Sequence, residues 1–180
     1  MIITLKNVIC SYPTLFTPKA FTAGMDPKYS MTVLLEKDDP QIQSILQVIE
    51  AEGERVFQKE WKAVRKELQA QNKFGLQDGA VKATKDGYDG RMFINASNAK
   101  APLVLAQDKS IITRDGVVYG GCIVNVQLDI WVQNNHQYGK RINAMLLAVQ
   151  FARDGQAFGS VSAADIDAFE SIDSSADEYM

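Results

Sequence analysis

Reactive and metal-binding side chains are scarce in this 180-residue chain, which has two cysteines and one histidine. Cys10 and Cys122 sit in apolar, strand-like runs with no C-x-x-C, and His136 stands alone, so a disulfide framework and a structural zinc site are both excluded. The opening Met-Ile-Ile-Thr-Leu-Lys lacks the basic and apolar regions of a secretory leader. No apolar run approaches the roughly 20 residues that span a bilayer, and the sequence reads as intracellular, without a membrane partner. Phosphate-loop, nucleophile-elbow, zincin and dinucleotide fingerprints are missing, and His136 has no nearby Ser or Cys to activate. No catalytic residue, cofactor or metal is therefore assigned. Asp78, Asp86, Asp89 and Asp108 would have to gather Mg²⁺ for a nuclease, but three of them directly precede a glycine, and turn formation already accounts for those.

Basic residues are also absent from one end. All 19 Lys and Arg lie in residues 1–153, which carry +4, whereas residues 154–180 carry seven acids and no base, or −7. The overall charge of −3 conceals that asymmetry. A basic body with an acidic terminus suits a polyanion partner whose place the terminus can contest.

What is present points to a mainly β protein with an inserted helix. A chain of this length buries about 70% of its unfolded surface, enough for one domain without staples. Strands are expected at 2–10, 29–36, 91–96, 103–106, 111–113, 117–119, 122–132, 141–152 and 157–161, from β-rich runs and period-2 alternation. In 122–132, Trp131 falls on the polar face, as a stacking platform or as the cap of a neighbouring helix. Asp38-Asp39-Pro40 is a helix start, and Ile42, Ile45, Leu46, Ile49, Val56, Phe57, Trp61, Val64 and Leu68 carry a 3.6-residue stripe to about residue 71. Gly53 interrupts it, which predicts a kink or two consecutive helices. The mixed charges of 54–67 fit a solvated face better than a basic flank. Five Asp-Gly pairs, at 78, 86, 89, 115 and 154, predict a hairpin-rich antiparallel sheet.

Residues 12–35 combine three of the five prolines with Tyr12, Phe16, Phe21, Tyr29, Lys19 and Lys28. The prolines stiffen a loop, and rings interleaved with cations are what sequence-tolerant single-strand binding uses. The same rings could instead plug the end of a barrel. An elaborated OB-fold barrel (α+β, with an acidic C-terminal tail) would present such a surface on one sheet face and its flanking loops. The candidate stacking rings are Tyr12, Phe16, Phe21, Tyr88, Phe93, Tyr119 and Trp131. Candidate phosphate contacts are Lys19, Lys28, Arg91, Lys140 and Arg141, with Lys100 and Arg114 as further cations. By composition alone, RNA-binding and protein-interaction β-domains share this pattern.

Several segments, in order from Lys6 to Gly159, carry a closer likeness: Y-P-T-L-F-T-P-K-A-F, P-K-Y-S-M-T-V-L-L, D-G-Y-D-G-R-M-F-I-N-A-S, Y-G-G-C-I-V-N-V and N-A-M-L-L-A-V-Q-F. Together they resemble a family of bacteriophage single-stranded DNA-binding proteins, long catalogued as a domain of unknown function. The resemblance implies an OB-fold related to phage helix-destabilising proteins, without a cofactor, that coats single strands in replication and recombination in the cytoplasm of the infected bacterial host. Tyr12, Phe16, Phe21, Tyr29, Arg91 and Tyr119 lie inside the matching segments. The periodicity and composition divide the chain into an OB domain at 1–161, with the helical insertion at about 39–71, and an acidic, flexible tail at 162–180. In such proteins that tail contacts replication or recombination proteins, here through Asp165, Asp167, Glu170, Asp173, Asp177 and Glu178.

Overall fold

The computed structural model describes residues 1–159; the expected acidic tail, with the six acids assigned to it, lies outside the described residues. Among the described residues there are seven strands: β1 (Ile2–Lys19), β2 (Lys28–Glu36), β3 (Leu76–Asp78), β4 (Arg91–Asn98), β5 (Leu103–Leu105), β6 (Ile123–Asn135) and β7 (Gly139–Arg153). They lie in the order β3-β4-β2-β1-β6-β7-β5, and β4 also pairs with β7 in parallel at Ser97 and Met145. That extra pairing closes β1, β2, β4, β6 and β7 into a five-stranded barrel, with β3 and β5 as short flanking strands.

Alternation along each strand fills the barrel. Leu5 and Cys10 of β1, Met31, Val33 and Leu35 of β2, Ile94 and Ala96 of β4, and Val124, Val126, Leu128 and Ile130 of β6 are all buried in one cluster. Strand β2 departs from a one-sided pattern: Leu34, on its outer face, is also fully buried. Leu34 pairs directly with Phe93 of β4, and the connection between β3 and β4 folds Tyr88 over both, making a second small core outside the barrel.

The insertion between β2 and β3 forms α1 (Gln41–Phe57), a 3₁₀ turn (Gln58–Glu60) and α2 (Trp61–Ala70). The Asp39 carboxylate accepts from the Gln41 N–H at 2.9 Å, holding a first-turn donor that the helix leaves free. Ile42, Ile45, Ile49 and Phe57 of α1 and Trp61, Val64 and Leu68 of α2 are buried, as their spacing predicts, and α1 packs on β6 and α2 on β7. The break between the helices falls at Gln58, with φ of 50°, and not at Gly53. Gly53 has a different role. A Cβ there would enter the Trp61 indole, so the missing side chain is what admits that ring. Trp61 stacks on Phe57 with centroids 6.1 Å apart and donates from Nε1 to Glu50 at 2.7 Å.

Other expectations are corrected. The first strand continues far past residue 10, through the segment expected to be a loop, because bulges absorb its irregularity: the register with β2 shifts between Ser11 and Thr14. Residues 117–119 are not a strand, and 111–113 contribute only a single bridge, Ile111 to Leu105. Within 157–161, the described residues 157–159 are not strand either. None of the Asp-Gly pairs makes a tight two-strand hairpin. Gly87, Gly90 and Gly116 do take positive φ, but in longer connections. The tight hairpin joins β6 to β7 at Asn135 and Gly139, where the Asn135 side chain accepts from the Gln137 N–H at 2.7 Å.

Candidate nucleic-acid interface

The outer face of β2 and β4 runs from the second core to a polar strip. Beyond the Leu34–Phe93 pair come Thr32 opposite Asn95 and Ser30 opposite Ser97. Thr32 Oγ1 donates to Asn95 Oδ1 at 2.6 Å. These residues floor a groove of about 840 Å³. One wall is Tyr12 and Thr14 of β1 with Phe21 and Lys28, and the other is the β6–β7 hairpin with Trp131, Gln133, Arg141 and Asn143. On that hairpin Trp131 pairs with Asn143 and Gln133 with Arg141, so strand alternation turns all four to one face. Asn143 Nδ2 donates to Gln133 Oε1 at 3.2 Å, and Gln133 Nε2 donates on to the Tyr138 and Gly139 carbonyls, tying the wall to the hairpin tip.

Tyr12 owes its position to backbone geometry that a tyrosine seldom adopts. Its φ is 46°, the left-handed region, at the bulge where β1 carries one residue more than β2. The residue is 58% exposed, and its ring lies 6.4 Å from that of Tyr88, tilted by 49°. Tyr88 is buried, packs edge-on against Phe93 at 5.3 Å, and its hydroxyl accepts from Ser11 Oγ at 3.2 Å. The exposed ring thus stands on a fixed aromatic base.

Of the twelve residues proposed from sequence, Tyr12, Phe21, Lys28, Tyr88, Trp131 and Arg141 converge on the groove. Tyr88 and Phe93, however, are buried at 1% and 0% exposure; they support the site from beneath and do not present a free face. Phe16 is half-buried and packed on the main core, so its ring is taken up in packing. Arg91 is occupied twice: Nε bonds Glu36 at 2.7 Å and Nη1 donates to the Gly87 carbonyl at 3.0 Å, clasping the β3–β4 connection. Tyr119 donates its hydroxyl to Asp154 Oδ1 at 2.7 Å and accepts from the Gly155 N–H, fastening the turn after β7. The bond to that carboxylate, followed by burial, holds its phenol above the ordinary value. Lys140 lies over the Phe57 ring at 5.6 Å, on the helical side. Lys19, at the far end of β1, and the additional cations Lys100 and Arg114 also lie off the groove.

Lys82 and Lys85, which line the groove from the β3–β4 connection, were missed. So was the amide lining at Asn95, Gln133 and Asn143. The K-A-T-K spacing was the available signal for the lysines; the cross-strand registers that gather the amides are not readable from one strand.

Three of the four acids considered for a metal, Asp78, Asp86 and Asp108, have other partners. Asp78 accepts from the Ala80 N–H at 2.9 Å and pairs with Lys37 at 3.2 Å, which together hold its carboxyl below the ordinary value. Asp86 accepts from the Gly159 N–H, and Asp108 accepts from the Ser110 N–H and hydroxyl. Among the described residues no three His, Cys, Asp or Glu are grouped to hold a metal ion, and no helix is long and apolar enough to cross a membrane.

A closed five-stranded barrel with a ring- and cation-lined groove on its outer face is an OB-fold of the oligonucleotide-binding kind. Comparison with known proteins gives the family. Residues 1–180 match the family model described as the ssDNA-binding protein of Enterobacter phage Enc34, and the chain belongs to that family. A curated relative, "Putative protein p50" of Acyrthosiphon pisum secondary endosymbiont phage 1, is 32% identical over 187 residues, spanning 100% of this chain and 98% of that protein. The solved single-stranded DNA-binding protein from bacteriophage Enc34, in complex with ssDNA, is 31% identical and superposes with a TM-score of 0.67 over 88% of this chain and 89% of its own. The single-stranded DNA binding protein gp2.5 of bacteriophage T7 shares the fold, with a TM-score of 0.59 at 15% identity over 95% of this chain and 98% of its own. These matches agree with the resemblance carried by the quoted segments.

Proposed function

We propose that this chain is a non-catalytic single-stranded DNA-binding protein that coats single strands during phage replication or recombination in the cytoplasm of the infected host. The observation that carries the reading is the convergence of exposed Tyr12, Phe21 and Trp131 with Lys28 and Arg141 on one groove of the barrel. The Enc34 relative in complex with ssDNA supports it. The strand would lie across the β2–β4 face, with bases stacked on the rings and phosphates against the cations, and the amides and hydroxyls between them would take any base edge. Nothing in that arrangement reads a particular sequence.

Fluorescence anisotropy with an oligo-dT strand tests this. Binding weakens with salt at a log–log slope of about −0.7 for each phosphate neutralised, and affinity that does not change between low and physiological salt overturns the reading. A duplex of matched length serves as the comparison and binds less tightly.

The acidic end competes for the same groove in this proposal, and recruits basic surfaces of replication or recombination proteins when DNA displaces it. Removing residues 162–180 takes away six acids and turns the net charge from −3 to +3. The shortened chain is expected to bind single strands more tightly, by a margin that shrinks as salt is raised. Unchanged or weaker affinity in the same titration counts against the competition.

A further inference from the structure

The β3–β4 connection places two lysines at the groove rim without giving either an anionic partner. Lys82 Nζ lies 4.9 Å from the centre of the Phe93 ring, and Lys85 Nζ lies 4.9 Å from that of Tyr12 and 5.9 Å from that of Tyr88. With Tyr12 and Tyr88 6.4 Å apart, these distances put Lys85 on the side of Tyr12 that looks toward Tyr88. Neither lysine takes part in any ion pair among the described residues, whereas Lys37, Arg55, Arg65 and Arg91 all do. A ring face attracts an ammonium but leaves its charge unneutralised. Lys82 is held below its ordinary pKa, first by partial burial and then by the charge of Lys85. Both ammonium groups thus line one groove without an ion-pair partner among the described residues, and an anion is what the arrangement lacks.

The lysines are also held in place. Asp78 caps the start of their connection and is pinned by Lys37; Arg91 clasps its end to Glu36 and the Gly87 carbonyl; Asp86 anchors the middle to the Gly159 N–H. Gly79 approaches the Tyr88 carbonyl so closely that a Cβ has no room. A fixed pair of cations beside an exposed ring matches one nucleotide unit, its base on the ring and its phosphate on the charges.

We propose that Lys82 and Lys85 form a phosphate seat that holds one phosphodiester of the bound strand while the adjoining base stacks on Tyr12. This rests on the groove being the single-strand site and goes further by fixing where the backbone is anchored. Ammonium groups take phosphate as point charges without a set geometry, so the seat holds the backbone whatever the sequence.

The test is a salt series of oligo-dT titrations on the full chain and three variants. In Lys82→Gln/Lys85→Gln the slope falls in magnitude by about 0.7, one phosphate fewer, and affinity at low salt falls about tenfold or more. Lys82→Arg/Lys85→Arg keeps both charges and restores slope and affinity, which separates lost charge from a disturbed loop. Tyr12→Leu lowers affinity but leaves the slope unchanged. If the unaltered chain binds with salt dependence and the glutamine pair matches it in slope and affinity, the seat is wrong and the single-strand reading stands. A glutamine pair that the arginine pair fails to rescue also overturns the seat. If the unaltered chain shows no salt-dependent binding, the reading of the groove itself has failed.

Discussion

Replacing Tyr12 by glycine is expected to lower affinity for an oligo-dT strand by roughly 5- to 150-fold, the equivalent of one stacked base, with the thermal unfolding midpoint close to that of the unaltered chain. The ring is the part of Tyr12 that faces the groove, and the backbone beneath it is in the left-handed region with φ of 46°. That conformation costs an ordinary residue about 1–2 kcal/mol and a glycine almost nothing. Against this relief stand about 0.5–1 kcal/mol of extra chain entropy for glycine and the lost contact with Tyr88. Alanine loses the ring without relieving the backbone, so Tyr12→Ala unfolds below Tyr12→Gly although both bind DNA poorly. A glycine variant less stable than the alanine variant, or one that binds as well as the parent, contradicts the assignment. Trp131 stands on the opposite wall, and Trp131→Ala in the Tyr12→Gly background multiplies the loss if the two rings hold different bases.

Gly53→Ala is expected to destabilise the protein by about 1–3 kcal/mol, the usual cost of overpacking, although alanine is the better helix former by about 1 kcal/mol. The new methyl would enter the Trp61 indole, which is buried, stacked on Phe57 and tied to Glu50. Trp61→Ala alone costs about 3–5 kcal/mol, since it empties a filled site between the helices. In that background the sign of the first change reverses: with the indole gone, Gly53→Ala stabilises by up to about 1 kcal/mol. Denaturant unfolding of the four proteins measures both legs. The absence of a sign change means that Gly53 is not kept small by Trp61.

The helix illustrates how far one chain can be read. Its 3.6-residue stripe predicts the buried face from Ile42 to Leu68 in detail, because helical packing repeats a local geometry. The location of the break was misjudged, since the reason for Gly53 is a ring eight residues away in a separate helix. The candidate surface divides in the same manner. Tyr12, expected on a proline-stiffened loop, and Trp131, expected on the polar face of its strand, are both exposed. Phe16 and Phe93 looked equivalent to them, but strand faces and the β3–β4 cover place both in packed surroundings.

The sequence by itself determined the longer strand-forming runs of β2, β4, β6 and β7, the amphipathic insertion, the separation of a basic body from an acidic end, and the family. Each depends on neighbours along the chain or on an ordered run of motifs. Tertiary structure decided which cations remain free and which rings remain bare. Lys37, Arg91 and Lys140 look like Lys28, Lys85 and Arg141 in one dimension. In three, Lys37 and Arg91 are paired with Asp78 and Glu36 and Lys140 lies over Phe57 on the helical side, whereas the second group faces the groove. Charge neutralisation and burial are set by what lies within a few ångströms in space, and the partner can be distant in sequence, as Glu36 is 55 residues from Arg91.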